Sequence, residues 1–511
     1  MKILIKNEIP SWAYFLADNE YEQKELVDAL TVSVPGARYT FAYKSGRWSG
    51  KKTFIDYKKM RFPAGLLPIV KRAIPSAVVA DQREYCEDRF RTPLLEGITF
   101  RPDQKDALLY AYQNRCCLIH AATNYGKGVI ISGLVRMMID RGYRVLITVH
   151  RIELLRQTIE VLEKRLGMHI GSISSDSMDI SDKCNVAMYM TLLNKLECED
   201  EVLSCFLEST VLIIDEVHRA SSETYSSLLQ RSRATYRWGF SGTIPKINSY
   251  KGMLVRQWVG DTVFKVTNEE LITTGISAVP YVHMIEYKHA IDYVSMVSQI
   301  EKDFVAQGTK FATIRDRKEK IYRQVYPEVM YTHIVCNEKR MFIVAYLIAH
   351  AYKEKAVLAI VDILDQGTLF IKILKEKFGI DAEFISGTSS NREASLAKFK
   401  SGQLRVLVSS SILDEGVDTD KIRVMVLLGG KKSKRQLLQR IGRGLRKKET
   451  DNRIDILDFF DYDGKYLERH STIRRKIYKK EKFDIEMVRF TGSGLVKVEE
   501  KETDFEGAEE E

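Results

Sequence analysis

From about residue 100 onward the chain alternates short, nearly all-apolar runs with longer stretches of helical spacing. The first series of runs is CCLIHA (116–121), RVLITV (144–149), NVAMYM (185–190), TVLIID (210–215) and RWGFSG (237–242). Residues 128–142 and 151–167 lie between them and carry apolar residues at helical intervals. A second series follows at 355–361, 382–386, 405–410, 423–429 and 453–459, with helical stretches at 367–379 and 433–448. Apolar strands joined by helical crossovers predict a parallel sheet covered on both faces, and two such series predict two sheets in tandem with a cleft between them.

The flanks read differently. Residues 1–95 predict a small α/β module. MKILIK, YTFAYKSGRW and KTFIDYKK have strand-like alternation and aromatics, EYEQKELVDALT and GLLPIVKRAI have helical spacing, and Pro63 and Gly65 break the pattern between. The organisation predicted is an accessory module at 1–95, a first α/β domain at 96–280, a linker with a basic helical segment at 281–345, and a second α/β domain at 346–465. A basic C-terminal helix at 466–498 and an acidic tail at 499–511 complete it.

Charge narrows the partner. The net charge is +10, but residues 499–511 hold eight acids and one lysine, about −7, which leaves about +17 on the rest. A basic body suits a polyanion. The seven cysteines form no CxxC pair, so neither a disulfide framework nor a zinc site is expected. No run nears the roughly 18 apolar residues that would cross a bilayer, and the expected location is the cytoplasm.

Candidate chemistry gathers at strand ends. CCLIHA runs into Ala121-Ala122-Thr123-Asn124-Tyr125-Gly126-Lys127-Gly128 and then a helical stretch, the context of a phosphate-binding loop. Lys127 would reach the β- and γ-phosphates. Ala121 stands in place of the usual opening glycine, and Gly128 in place of the Ser/Thr whose hydroxyl ordinarily ligates Mg²⁺. Asp215 would then hold the ion with waters and phosphate oxygens, or Thr123 would substitute. Asp215-Glu216-Val217-His218 ends another strand; Asp215 is the candidate Mg²⁺ ligand and Glu216 the candidate base for the attacking water. Gln439-Arg440-Ile441-Gly442-Arg443-Gly444-Leu445-Arg446 spaces three arginines three apart, and on one helix face Arg443 and Arg446 would meet a γ-phosphate as arginine fingers.

These strings, in this order from Phe100 to Asp463, resemble a superfamily 2 helicase or translocase of the DExH type with two RecA-like domains. The resemblance implies ATP and Mg²⁺, with residues 122–128 as the phosphate loop, Gln104 reading the adenine edge, and His218 and Gln439 joining the catalytic network. Ser241-Gly242-Thr243 resembles the motif that couples hydrolysis to strand movement. Arg151, Thr191, Gly387 and Ser410 fall where strand-contacting residues are expected, and Gly416 and Asp418 match a Gly-x-Asp coupling motif. The aromatic, glycine and basic pattern of residues 38–57, followed by FPAGLLPIVKR (62–72), is similar to the first domain of phage UvsW-type branched-DNA helicases. There Arg47, Trp48 and Lys51 would contact nucleic acid.

The activity this implies is ATP-dependent unwinding or remodelling of branched DNA in recombination, repair or replication, with little sequence specificity, by a monomer, in the host cytoplasm if phage-encoded. An RNA helicase or RNA-stimulated ATPase stays open, since the DExH string does not discriminate the sugar. So does a non-catalytic scaffold, which Gly128 favours. The motor of a restriction system is a further alternative, but no nuclease carboxylate–lysine cluster stands out before residue 96 or after 465.

Overall fold

A computed structural model describes residues 1–499 apart from 87, 310, 312, 388, 390 and 411–420, and without the side chains of 315, 435 and 443. The chain divides into two compact units, Met1–Val266 and Thr267–Glu511.

Besides the two-stranded pair Thr31–Ser33 and Lys51–Thr53, the first unit holds two sheets. The smaller has the strand order Arg61–Pro63, Trp12–Leu16, Lys2–Ile5, Val78–Asp81, antiparallel except for the last pair. Alternation along Lys2–Ile5 buries Ile3 and Ile5 against Ala13, Phe15, Leu26, Phe62, Leu66 and Val70. Met253 belongs to the same core although it comes from the helix Tyr250–Val259, so the accessory module is docked on the motor domain through shared apolar packing. Close backbone approach fixes the join: a Cβ on Gly65 would lie 2.2 Å from the carbonyl oxygen of Arg256. Buried Arg237 adds a polar tie, donating to Ser11 Oγ at 2.6 Å.

The larger sheet of this unit has eight strands in the order Met178–Asp179, Gly171–Ile173, Cys184–Met188, Val145–Val149, Val211–Asp215, Tyr236–Ser241, Cys116–Ala121 and Thr262–Val266. All neighbours are parallel except the first pair. Parallel register brings the C-terminal ends of Cys116–Ala121, Tyr236–Ser241 and Val211–Asp215 to one edge, with Ser241 opposite His120 and Asp215 opposite Phe240. That edge is where an open α/β sheet binds ligands.

The second unit repeats the plan. Its order is Ala382–Ile385, Val406–Ser410, Val357–Val361, Val424–Leu427, Arg453–Tyr462, Val279–Lys288, Asp484–Phe490 and Leu495–Lys497, parallel except for the last pair. The protein is therefore an α/β chain with two tandem RecA-like sheets behind a small α/β module.

Several local expectations fail. YTFAYKSGRW is not a strand: it forms a short 3-10 turn at Ala37–Tyr39 and a helical turn at Phe41–Lys44, which Thr40 caps by accepting from the Tyr43 N–H. Tyr39, Phe41 and Tyr43 are exposed, Phe41 at 76%, and only Trp48 is half-buried, where strand alternation would have buried half of the aromatics. The strands Trp12–Leu16 and Val78–Asp81 escaped notice, and of KTFIDYKK only Lys52 and Thr53 lie in a strand, Lys51–Thr53, paired with Thr31–Ser33, while Asp56 makes an isolated bridge to Arg61. The proposed linker at 281–345 begins with most of Val279–Lys288, an inner strand of the second sheet, and continues with the helices Tyr293–Ala306, Ile314–Met330 and Glu338–His350. Residues 267–280, assigned to the first domain, belong to the second unit. The C-terminal helix spans only Tyr466–Lys480; Asp484–Phe490 and Leu495–Lys497 join the sheet. Among the described residues no helix is long and apolar enough to cross a membrane.

Candidate active site

The phosphate loop joins the strand Cys116–Ala121 to the helix Lys127–Ile139. Asn124 and Gly126 take left-handed backbone, φ 72° and 97°, to turn the chain into the helix. Gly126 is needed twice over, because a Cβ there would also lie 2.7 Å from Gln104 Nε2. Gln104 is 3% exposed. Its Oε1 accepts from the Arg101 N–H at 3.1 Å and its Nε2 donates to the Tyr125 carbonyl at 3.2 Å, a carbonyl that also accepts from Arg101 Nη2 at 2.8 Å. Gln104, expected to read an adenine edge, thus braces the loop from below.

Two loop residues contribute less to an anion site than the sequence suggested. Tyr125 turns its ring into the core against Phe264, and its N–H donates to the Ala122 carbonyl; the Ala122 N–H donates to Val266. Anion-facing donors must come from the remaining positions, Thr123, Asn124, Gly126, Lys127 and Gly128, together with the exposed first turn of the helix.

Beside the loop, the strand Val211–Asp215 ends in a set of charges in mutual contact. Lys127 Nζ lies 2.8 Å from Glu216 Oε1. Glu216 Oε2 lies 3.2 Å from His218 Nδ1 and accepts from Ser241 Oγ at 3.3 Å, and His218 Nδ1 is 2.9 Å from the same Ser241 Oγ. Burial raises the Glu216 pKa, but the Lys127 ammonium, followed by His218, outweighs it and holds the carboxyl well below its usual range. Glu216 also has a left-handed backbone, φ 50°, which is uncommon outside glycine and is retained here where the chain must turn from the strand into Val217–Ser221. Its own N–H donates to Asp215 Oδ1 at 2.9 Å, orienting that carboxylate at the strand end.

Lys127, Asp215, Glu216 and His218 therefore lie together at one strand end. Ser241, read only as part of a coupling string, is the residue that closes the group. Its signal was register: the strand pairing sets Ser241 level with the end of the phosphate-loop strand, where His120 Nε2 lies 3.1 Å from the Gly242 carbonyl oxygen.

The expected nucleic-acid contacts lie on several elements of the two units. Arg151 is the half-buried N-cap of the helix Ile152–Leu166. Thr191 lies in the helix Tyr189–Lys195, since the preceding strand stops at Met188. Gly387 is an exposed turn residue, whereas Ser410, the last residue of its strand, is 3% exposed and presents little to a ligand. Arg47 and Lys51 are exposed, with the Arg47 guanidinium 5.9 Å from the Phe41 ring; Trp48 is half-buried and donates its Nε1–H to the Lys51 carbonyl at 2.8 Å. Gly416 and Asp418 lie outside the described residues.

In the second unit the arginine string is mostly helical, within Lys434–Gly444. Gln439 is half-buried, and Arg443 is in the helix. Arg446 is not on its face: it lies past the helix end, exposed, at an isolated bridge to Ser277. Arg440 is buried and pairs with Asp362 at 3.1 Å, a carboxylate that also accepts from the Gly430 N–H. This pair ties the helix to its sheet, a structural use of one arginine that spacing alone did not separate from the others.

Comparison with known proteins agrees with this architecture. Residues 97–246 match the family described as type III restriction enzyme, res subunit, and residues 338–448 match the helicase conserved C-terminal domain. The chain is 28% identical to the DNA 3'-5' translocase XPB2 of Sulfurisphaera tokodaii over 71% of its own length and 82% of that protein's. It is 22% identical to the ATP-dependent DNA helicase uvsW of Enterobacteria phage T4, over 91% of this chain and 94% of that one. Among solved structures, Saccharomyces cerevisiae Dbp5 bound to RNA and ADP BeF3 shares the fold at a TM-score of 0.52 and 15% identity, covering 76% of this chain and 89% of the other. With both domain matches in sequence order, on two RecA-like sheets, the chain belongs to the superfamily 2 helicases, which are nucleic-acid-dependent ATPases.

Proposed function

We propose that the chain is an ATP-driven DNA helicase or translocase that remodels branched or forked DNA in recombination, repair or replication. The observation that carries this reading is the contact group Lys127–Glu216–His218–Ser241 at the C-terminal edge of a parallel sheet, next to a phosphate loop. Its donor set fits a Mg²⁺-bound triphosphate: an ammonium for the phosphates, Asp215 at a strand end for the metal, and a second carboxylate beside it. ATP·Mg²⁺ supplies the scissile phosphoanhydride and the charge neutralisation that its cleavage needs.

The chain's own residues would act as follows. Lys127 is paired with Glu216; on nucleotide binding it would turn to the phosphates. Glu216 then loses the cation that contributes most to holding its pKa down, and becomes a better acceptor for the proton of the attacking water. His218 and Ser241 hold its Oε2 so that the released carboxylate keeps its aim. Gln439 would join the water and γ-phosphate network, and Arg443 and Arg446 would act as arginine fingers. Gly416 and Asp418 are assigned to coupling in the same scheme.

DNA rather than RNA is favoured by the two relatives, which are named as a DNA translocase and a DNA helicase. Phosphate contact through Arg151, Thr191, Gly387 and Ser410, with the backbone nearby, would position a strand without reading its sequence. The accessory module would add Arg47, Trp48 and Lys51, together with the exposed rings of Tyr39, Phe41 and Tyr43 as stacking faces.

The test is steady-state ATP hydrolysis across forked DNA, duplex DNA, single-stranded DNA and single-stranded RNA. Forked DNA is expected to stimulate most. Stimulation by RNA alone would replace this reading with an RNA-dependent one.

A further inference from the structure

Gly128 removes the hydroxyl that ordinarily ligates the metal of a phosphate loop, and the structure shows what stands beside the gap. A Cβ on Gly128 would meet a single neighbour, Nη1 of Arg165, at 3.5 Å. Arg165 comes from the last turn of the helix Ile152–Leu166 and runs its side chain along the helix Lys127–Ile139. Its Nη1 donates to Ser132 Oγ at 3.2 Å, and Ser132 Oγ donates to the Gly128 carbonyl at 2.7 Å. The guanidinium is thus linked by two hydrogen bonds, through Ser132, to the second residue of the helix that follows the phosphate loop.

Among the described residues no carboxylate pairs with Arg165, and partial burial is the single influence on its pKa, a lowering one. Glu163, two residues before it, is engaged with His169 and the Ile170 N–H. A partly desolvated cation without a counter-ion favours an arriving anion. Residue 128 is also the position whose side chain, in a phosphate loop, ordinarily addresses the metal and through it the β- and γ-phosphates.

We propose that Arg165 is a positioning residue for the nucleotide's phosphates, supplying beside Gly128 a fixed positive charge in place of the absent hydroxyl–metal contact. The proposal rests on the nucleotide site proposed above. It accounts for a phosphate loop that dispenses with its hydroxyl while keeping Lys127, Asp215 and Glu216. It also makes triphosphate binding less dependent on Mg²⁺ than a loop with Ser or Thr at this position would be.

The test is equilibrium binding of a fluorescent ATP analogue to the full chain, in saturating Mg²⁺ and in excess EDTA, for the wild type, Arg165→Gln, Arg165→Lys and Lys127→Ala. Arg165→Gln keeps a donor for Ser132 Oγ and removes the charge, and thermal melting confirms that it folds. Loss of one charge-assisted contact should weaken binding in EDTA about tenfold, and less in Mg²⁺, with Arg165→Lys in between. Unchanged affinity in EDTA for Arg165→Gln, alongside lost affinity for Lys127→Ala, overturns the role of Arg165 alone. Unchanged affinity for Lys127→Ala as well overturns the nucleotide site itself.

Discussion

The ring of His470 is 5% exposed, and its Nδ1 lies 3.0 Å from the Gly430 carbonyl oxygen, to which the neutral ring donates. Burial pushes its pKa down to about 4; the Gly430 bond works the other way, and Arg474, Lys432 and Arg469 add to the lowering. The sign follows from which state binds more protons. An unfolded histidine titrates near its ordinary value, so between that value and about 4 the unfolded chain holds the extra proton and stability falls as pH falls. At pH 5 the loss is about 2 kcal/mol relative to neutral pH. Replacing His470 with Gln, which can still donate to Gly430, should flatten part of the decline in melting temperature between pH 7 and pH 5. Parallel declines in the two proteins would show that His470 is not the group responsible. At the same scale Lys127, Asp215, Glu216 and His218 were legible because strand-end carboxylates and a Gly-Lys turn have few other combined uses. Ser241 and the Arg440–Asp362 pair were not, because each depends on a partner distant in sequence.

Elements were legible wherever burial on both faces enforced a continuous apolar run. The strands Val145–Val149, Val357–Val361 and Val424–Leu427 are buried throughout, Val211–Asp215 is buried up to its half-buried last residue, and each was visible in the sequence. The accessory module failed the same reading because its strands are half-exposed and short, and its exposed aromatics imitate strand alternation on what is a capped helical turn. Val279–Lys288 was hidden for another reason: most of it lay inside what read as a linker. The docking of the module makes its own prediction. Gly65→Ala places a methyl 2.2 Å from the Arg256 carbonyl oxygen and 2.8 Å from that of Gln257, so backbone must move. A loss of about 1–3 kcal/mol is expected in denaturant melts, while Gly494→Ala, with nothing within 4 Å, should be neutral. An unperturbed Gly65→Ala melt would mean that the module is not held at this approach.

At the scale of the whole molecule, two similar sheets and the order of their motifs carried the family assignment, since each string is common alone and their sequence is not. What remained out of reach was conformational, namely which loop donors are already used and where a side chain such as Arg165 comes to rest. The central claim is that one constellation, built on Lys127, Asp215 and Glu216, hydrolyses ATP in response to nucleic acid. The most direct measurement is steady-state ATP hydrolysis with and without DNA for the wild type, Lys127→Ala and Glu216→Gln. DNA should stimulate the wild type, and each substitution should lower the stimulated rate by a factor on the order of 100 or more. A stimulated rate that survives both substitutions would contradict the account.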